Sequence, residues 1–201
     1  MIHLIAKIPK KVYVAVSGGQ DSMAALDFLS RKHDVTVLHF NHSTKHAQEA
    51  EDTVVKFCLS RNIDFKIGRL NERIERGRSK EDFWREKRYN FFESVTSDDD
   101  VIVTCHHLDD VVETWLFTSL HGNSRIIPCR RERYLRPFLT TKKEVFVSWC
   151  ERHDVPYAKD PSNNNTEFRR NYIRHCLMPH ALKINPGLSK VLKRKVEQSI
   201  W

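Results

Sequence analysis

Three short clusters combine residue types that do chemistry. The first is Ser17-Gly18-Gly19-Gln20-Asp21-Ser22. Paired glycines let a backbone approach an anion closely, and two serines add hydroxyl donors. A helix opening at this point would add free N–H groups and the positive end of its dipole, completing a phosphate cradle. The hexapeptide is neither a Walker A loop nor a G-x-G-x-x-G turn. Asp21 is the informative member. A carboxylate beside phosphate repels it unless a cation lies between, so Asp21 points to Mg2+. For Ser-Gly-Gly alone, a tight strand–helix turn without a ligand stands as the alternative. The second cluster, His106-His107-Leu108-Asp109-Asp110-Val111-Val112-Glu113-Thr114, holds three carboxylates and two imidazoles. Asp110 and Glu113 share a helix face. The zinc spacings H-E-x-x-H and H-x-x-E-H are absent, which leaves an active-site edge or an acidic helix start. The third joins Asp160-Pro161-Ser162-Asn163 to Arg170-Asn171-Tyr172-Ile173-Arg174. Arg170 and Arg174 are four apart, a spacing suited to a phosphate clamp or to an exposed basic helix.

The elements that must position these clusters follow from hydrophobic period. Apolar runs at 12–16, 35–40, 63–67 and 101–105 read as buried parallel strands. Between them, helical spacing continues from Met23, recurs over 46–61, and returns over 80–96 and 108–120. This alternation predicts an α/β fold: an open, mostly parallel sheet with helices on both faces. In such sheets ligands sit at the carboxyl ends of the strands, where the first two clusters fall. Residues 121–138, with two prolines and five arginines, read as a long loop. Thr141 and Glu144 resemble a capping box opening a helix. Residues 160–165 form a turn cluster, a basic helix runs to about 177, and a short helix follows Pro186. The expected division is a sheet domain over 1–154 and a basic helical tail over 155–201.

Composition narrows the classes. Among 201 residues, 40% are hydrophobic and 30% charged, and no apolar run is long enough to cross a bilayer, so no membrane association is expected. The first eleven residues do not read as a secretory signal. Five scattered cysteines without a C-x-x-C pair fit buried thiols in a reducing, cytoplasmic setting. Residues 1–124 carry 17 Lys and Arg against 19 Asp and Glu, whereas residues 125–201 carry 17 against 7. The whole formal excess of +8 therefore lies in the last two-fifths of the chain. A basic segment beside a near-neutral body is the electrostatic footprint of a polyanion binder.

Together the clusters resemble a known family. Ser-Gly-Gly-x-Asp-Ser is similar to the loop of the N-type ATP pyrophosphatases, or PP-loop proteins. The ordered set of 17–22, Asn41-His42, Arg85-Glu86-Lys87-Arg88-Tyr89, 106–114, Leu135-Arg136-Pro137-Phe138-Leu139, 160–163 and 170–174 resembles the tRNA(Ile)-lysidine synthetases over about residues 10–180. The chain looks like a minimal form without that family's C-terminal domains. It departs from the pattern at Ser43-Thr44-Lys45 and at 121–125.

The resemblance implies a ligase that uses ATP and Mg2+ to join free lysine to C2 of the wobble cytidine in a CAU anticodon. The reaction passes through an adenylated tRNA and releases AMP and pyrophosphate. It assigns Ser17, Gly18, Gly19, Gln20, Asp21 and Ser22 to ATP, with Asp21 at the metal. Asp110 and Glu113 fall on the lysine or metal side, and Arg170 on the adenylated intermediate or phosphate. Arg85, Arg88, Arg136 and Arg174 are RNA or fold-supporting contacts. The partner is a tRNA, met chiefly at its anticodon stem-loop, and a homodimer would extend the reach. Another base-modifying activity such as thiolation, or a silent RNA-binding module, is the alternative. RNA affinity should fall steeply with salt. Reversing the charge of Arg130, Arg131 and Arg133 should flatten the slope of log K against log salt by roughly one unit for each phosphate no longer neutralised. Filter binding from low to moderate salt measures this, and a flat profile assigns the basic segment to ordinary solvated surface.

Overall fold

The computed structural model describes residues 1–72, 74, 77 and 79–200, with the backbone only at 162 and 163. Four strands alternate with helices as the hydrophobic periods require. In chain order these are β1 (Lys11–Ala15), α1 (Gln20–Ser30), β2 (Asp34–Asn41), α2 (Ala47–Arg61), β3 (Asp64–Arg69), α3 (Lys80–Val95), β4 (Ile102–Thr104) and α4 (Leu108–Leu120). Two short strands follow, β5 (Arg130–Arg131) and β6 (Tyr134–Leu135), then α5 (Lys143–His153). A 3-10 turn at Pro161–Asn164 leads into α6 (Arg169–Tyr172), a π turn at Ile173–Leu177, α7 (Met178–Ile184) and α8 (Leu188–Gln198).

The sheet runs in the order β3-β2-β1-β4-β6-β5, parallel except for the β5–β6 hairpin. Period-two alternation divides its side chains between two cores. Val12, Val14, Val35, Val37, Val103 and Leu135 face α1, α2 and α5. Tyr13, Ala15, Leu38, Ile102 and Tyr134 face α3 through Phe92, Tyr89 and Phe91. Helices thus cover both faces, as expected.

Two local expectations are corrected. Residues 121–138 are not loop throughout, because β6 pairs with β4 in parallel and extends the sheet. Tyr134 and Leu135 are 4% exposed and each enters one core, a burial that the surrounding arginines disguise. Thr141 and Glu144 do not form a capping box. Helix α5 starts at Lys143, whose N–H donates to Asp109 Oδ2 at 2.8 Å. The Thr141 hydroxyl instead donates to His3 O at 2.9 Å and accepts from His3 N–H at 3.0 Å. The start of α5 is therefore capped from across the sheet edge.

The basic tail packs on the sheet domain. Leu188, Leu192 and Val196 of α8, with Met178 of α7, close over Leu108, Val111 and Val112 of α4. Upstream, Ala158 N–H donates to Gly18 O at 2.9 Å, tying the tail to the glycine loop.

A buried carboxylate couples three helices. Asp27 of α1 is fully buried and accepts from Arg31 Nε and Nη2, at 3.1 and 2.8 Å, and from Trp149 Nε1 at 2.9 Å. Arg61 Nη1 of α2 lies 3.2 Å from its other oxygen. Both arginines are partly exposed, so water recovers them if the carboxylate is removed, but Trp149 Nε1 is left without its acceptor. Asp27→Ala should cost about 1–3 kcal/mol, read as a lower urea midpoint with an unchanged m-value.

Candidate active site

A cavity of about 610 Å³ opens at the carboxyl ends of β1, β2 and β4. It lies beside the β1–β4 pair, where strand order reverses and the outgoing loops part. Ser17, Gly19, Asp21 and Ser22 form one part of its lining, and Thr104 to His107 with Asp110 form another.

The glycine loop is tied by its own hydroxyls. Ser22 Oγ donates to Gly19 O at 2.9 Å and accepts from Ser17 N–H at 3.2 Å, and the Ser17 and Ser22 hydroxyls meet at 3.0 Å. Gly19 caps α1, whose first N–H groups face the loop without intrahelical partners. Gly18 needs to be glycine on two grounds. Its φ is +86°, and a Cβ there would come within 2.8 Å of Ala50 O.

The acidic edge is neutralised carboxylate by carboxylate. Asp110 accepts from the N–H of His107, closing the first turn of α4 at 2.9 Å. Asp109 caps α5. Arg174, delivered by the π turn, makes a paired contact with Glu113, from Nε to Oε1 at 2.5 Å and from Nη2 to Oε2 at 3.0 Å. Its Nη2 also lies 3.4 Å from Asp110 Oδ1. Asp21 Oδ2 stands 3.5 Å from His107 Nε2 and 3.7 Å from Lys143 Nζ. Asp21 Oδ1 is buried and has no partner among the described residues.

The titration equilibria follow from this layout. Burial opposes ionisation of Asp21, but His107, Lys143 and Arg174 more than offset it and hold its carboxyl below the ordinary range. Burial pushes His107 down, yet Asp21, Asp110 and Asp109 pull it up further. For Glu113, burial outweighs Arg174 and the pKa rises. His106, whose Nδ1 meets Thr104 Oγ1 at 3.0 Å, is pushed down to about 4 by burial and is neutral. Cys105 is pushed up to about 12 by burial, with Asp21 and Asp110 adding to the rise. It is a thiol, not a nucleophile.

The residues singled out from sequence divide into groups. Ser17, Gly19, Asp21, Ser22, Arg88 and Asp110 line the cavity. Gly18 shapes the loop from behind, and the Gln20 carbonyl accepts from the Cys150 thiol. Glu113 lies behind Asp110 on α4. Arg170 and Arg174 do not form the clamp their spacing allowed. Arg174 turns inward to Glu113, while Arg170 is 63% exposed and sits 3.8 Å from Glu81 of α3. Arg85 lies exposed over the Tyr89 ring, with its guanidinium carbon 5.3 Å from the centroid. Arg136 offers no surface to RNA: it is 6% exposed, and its guanidinium donates to Pro128 O. Arg133 is engaged with Ser97 O and Asp98, so Arg130 and Arg131 are the exposed members of that trio. The side chains of Ser162 and Asn163 lie outside the described residues. His107 and Lys143 hold Asp21, yet their sequence context assigns neither of them that role. His107 sits inside a conspicuous cluster, whereas nothing around Lys143 marks it.

A PP-loop domain profile matches residues 3–181. The chain belongs to the PP-loop family. That match supports ATP use by this domain. The bifunctional protein TilS/HprT of Listeria innocua is 34% identical over 98% of this chain and 33% of its own length. The tRNA(Ile)-lysidine synthase of Bacillus subtilis is 31% identical over 92% of this chain and 43% of its own length. The chain thus spans a third to under a half of these curated relatives. A phosphoadenylyl-sulfate reductase from Candida auris, solved with phosphate, shares the fold at a TM-score of 0.52 and 12% identity, covering 76% of each chain.

Within this PP-loop domain, Gly18→Ala should displace the loop and weaken ATP binding at least tenfold, because strained φ and the Ala50 contact add. Gly19→Ala meets nothing closer than Ser17 Oγ at 3.5 Å and should keep the native melting temperature. Calorimetric ATP titration beside thermal melts separates the two variants.

Proposed function

We propose that this PP-loop domain ligates free lysine to C2 of the wobble cytidine in the CAU anticodon of an isoleucine tRNA. ATP first adenylates the base with loss of pyrophosphate, and the lysine ε-amine then displaces AMP. The observation that carries this reading is the juxtaposition of two acidic sites at one cavity edge. One is Asp21, in the phosphate loop, with an open oxygen. The other is the Asp110–Glu113 pair, holding the guanidinium of Arg174 where a substrate ammonium could be held in turn. The names of the relatives support the substrate assignment.

Mg2+ fits the first site. Asp21 is kept ionised, its Oδ1 lacks a partner among the described residues, and the same loop carries the hydroxyls of Ser17 and Ser22. A magnesium ion held by few carboxylates and by the nucleotide's own phosphates suits such a donor set. When bound, it would supply charge neutralisation on the departing pyrophosphate. The chain's own groups do the rest. The N–H groups opening α1 point at the phosphates, and Lys143 adds positive charge next to Asp21. Asp110, at the cavity edge, holds the ε-ammonium and takes up the proton it must lose, while Glu113 behind it keeps Arg174 in place. Arg170, exposed and only loosely paired with Glu81 of α3, can swing to the adenylated base. Arg85 and Arg88 bring further positive charge to α3 for the RNA backbone. Sulfur transfer is disfavoured because Cys105, the cysteine lining the cavity among the described residues, is held as a thiol.

The test is incubation with ATP, Mg2+, labelled lysine and total tRNA. Label is expected in one isoleucine tRNA, with AMP formed in equal amount. Label absent while RNA still binds tightly would make this a binding module instead. Asp21→Asn should retain the wild-type melting profile and lower AMP formation by several orders of magnitude. Normal turnover in that variant removes the metal assignment.

A further inference from the structure

We propose that Glu51 of α2 is a positioning residue, a carboxylate that sets the phosphate loop in place without touching what the loop binds. The proposal rests on the reading that this loop holds ATP. Glu51 is out of pattern on its helix. The other inward residues of α2, Val54, Phe57 and Cys58, are apolar, whereas Glu51 is a carboxylate only 3% exposed. Such a group is stable there only when its oxygens are engaged. Asn41 Nδ2 donates to Oε2 at 2.8 Å, Arg69 Nε donates to the same oxygen at 3.0 Å, and Arg69 Nη2 donates to Oε1. Arg69, helped by Asn41, holds the carboxyl below its ordinary range against the effect of burial.

The groups that meet at Glu51 close three elements together. Asn41 and Arg69 are the last residues of β2 and β3 and are paired in register. Asn41 also folds the turn that leaves β2. Its Oδ1 accepts from Ser43 N–H at 2.8 Å, Ser43 stands at φ +55°, and the Ser43 hydroxyl donates to Leu70 O at 2.7 Å. One carboxylate therefore pins α2 to two strand ends and to that turn. The helix has no cap of its own at this end, since His46 makes no side-chain cap hydrogen bond. Ala50 precedes Glu51, and Ala50 O is the atom that a Cβ on Gly18 would meet at 2.8 Å. Gly18 is packed on that turn too closely for a side chain, so a shift of the turn is a shift of the loop's backing. Among the described residues, Asn41 and Ala50 line the cavity, whereas Glu51 and Arg69 stand outside its lining. A buried ion pair adds little net stability over an apolar pair of the same shape. Here it fixes where the start of α2 stands, and with it the loop.

The experiment is a double-mutant cycle between Glu51→Gln and Gly18→Ala, read as Mg-ATP affinity by calorimetric titration beside thermal melts. Glu51→Gln keeps the length of the side chain and an acceptor for Asn41, but loses the charge that Arg69 grips. It should weaken Mg-ATP about tenfold. In AMP formation it should raise the KM for ATP by the same factor and change kcat by less than about threefold. Both substitutions act through the Ala50 contact, so their losses should not multiply. The double variant should fall short of the product of the single losses by at least about threefold. Arg69→Lys, which keeps a cation without the two-pronged grip, should lie between Glu51→Gln and the unaltered chain. A role in stability alone lowers the melting temperature and leaves the ATP affinity of the folded protein unchanged, and that result overturns the proposal. Losses that multiply overturn it as well, and so does an unaltered chain that does not bind Mg-ATP. If Glu51→Gln does not fold, the cycle is run with Arg69→Lys and judged by the same outcomes. Failure of lysine transfer with the coupling intact would overturn the lysidine reading and spare this one.

Discussion

Four carboxylates converge where β1 and β4 end, and their mutual repulsion is the constraint to which the surrounding structure answers. Asp109 is matched to the start of α5, Asp110 to the start of α4 and to Arg174, Glu113 to Arg174, and Asp21 to His107 and Lys143. Each solution recruits a different element. Helix α5 must begin beside α4, the tail must return to α4 to deliver Arg174, and His107 must stay inside the turn. Buried charge is stable only when paired and hydrogen-bonded. Packing of the tail and placement of the acidic edge are thus one requirement.

The leftover valence of that network is what makes the edge chemical. Asp21 is ionised yet keeps one oxygen open, and Glu113 is held above its ordinary pKa despite its arginine. Across the cavity, His42 just after β2 meets Trp84 of α3 ring to ring, and Lys80 borders the Trp84 ring.

The tail has two faces with two physical roles. Its apolar stripe of Leu188, Leu192 and Val196 covers α4. Its cations are divided: Arg174 is taken up by the site, whereas Lys190, Arg194 and Lys195 stay in solvent. A charge count over 125–201 cannot make that division, because it weighs a buried ion pair and a solvated lysine alike. The same holds for Arg136, basic by count and internal by position.

By itself, the sequence determined the alternating strands and helices, the glycine loop and its aspartate, and the acidic turn after the fourth strand. These are legible because periodicity, helix-start chemistry and loop chemistry are local, set by residues within one or two turns of each other. Hairpin β5–β6 escaped notice because two residues per strand carry no period. Within it only β6 is buried, by β4 and by the cores on both faces of the sheet, which are built largely of residues distant in sequence. Tertiary structure alone decided that Lys143 and His107 would hold Asp21, that Arg174 would leave Arg170 to join Glu113, and that His42 would meet Trp84. Each of these pairs is separated by tens of residues. Their contact depends on strand order and on which helix caps which edge, and the energy that selects it is the cost of burying an unpaired charge or polar atom.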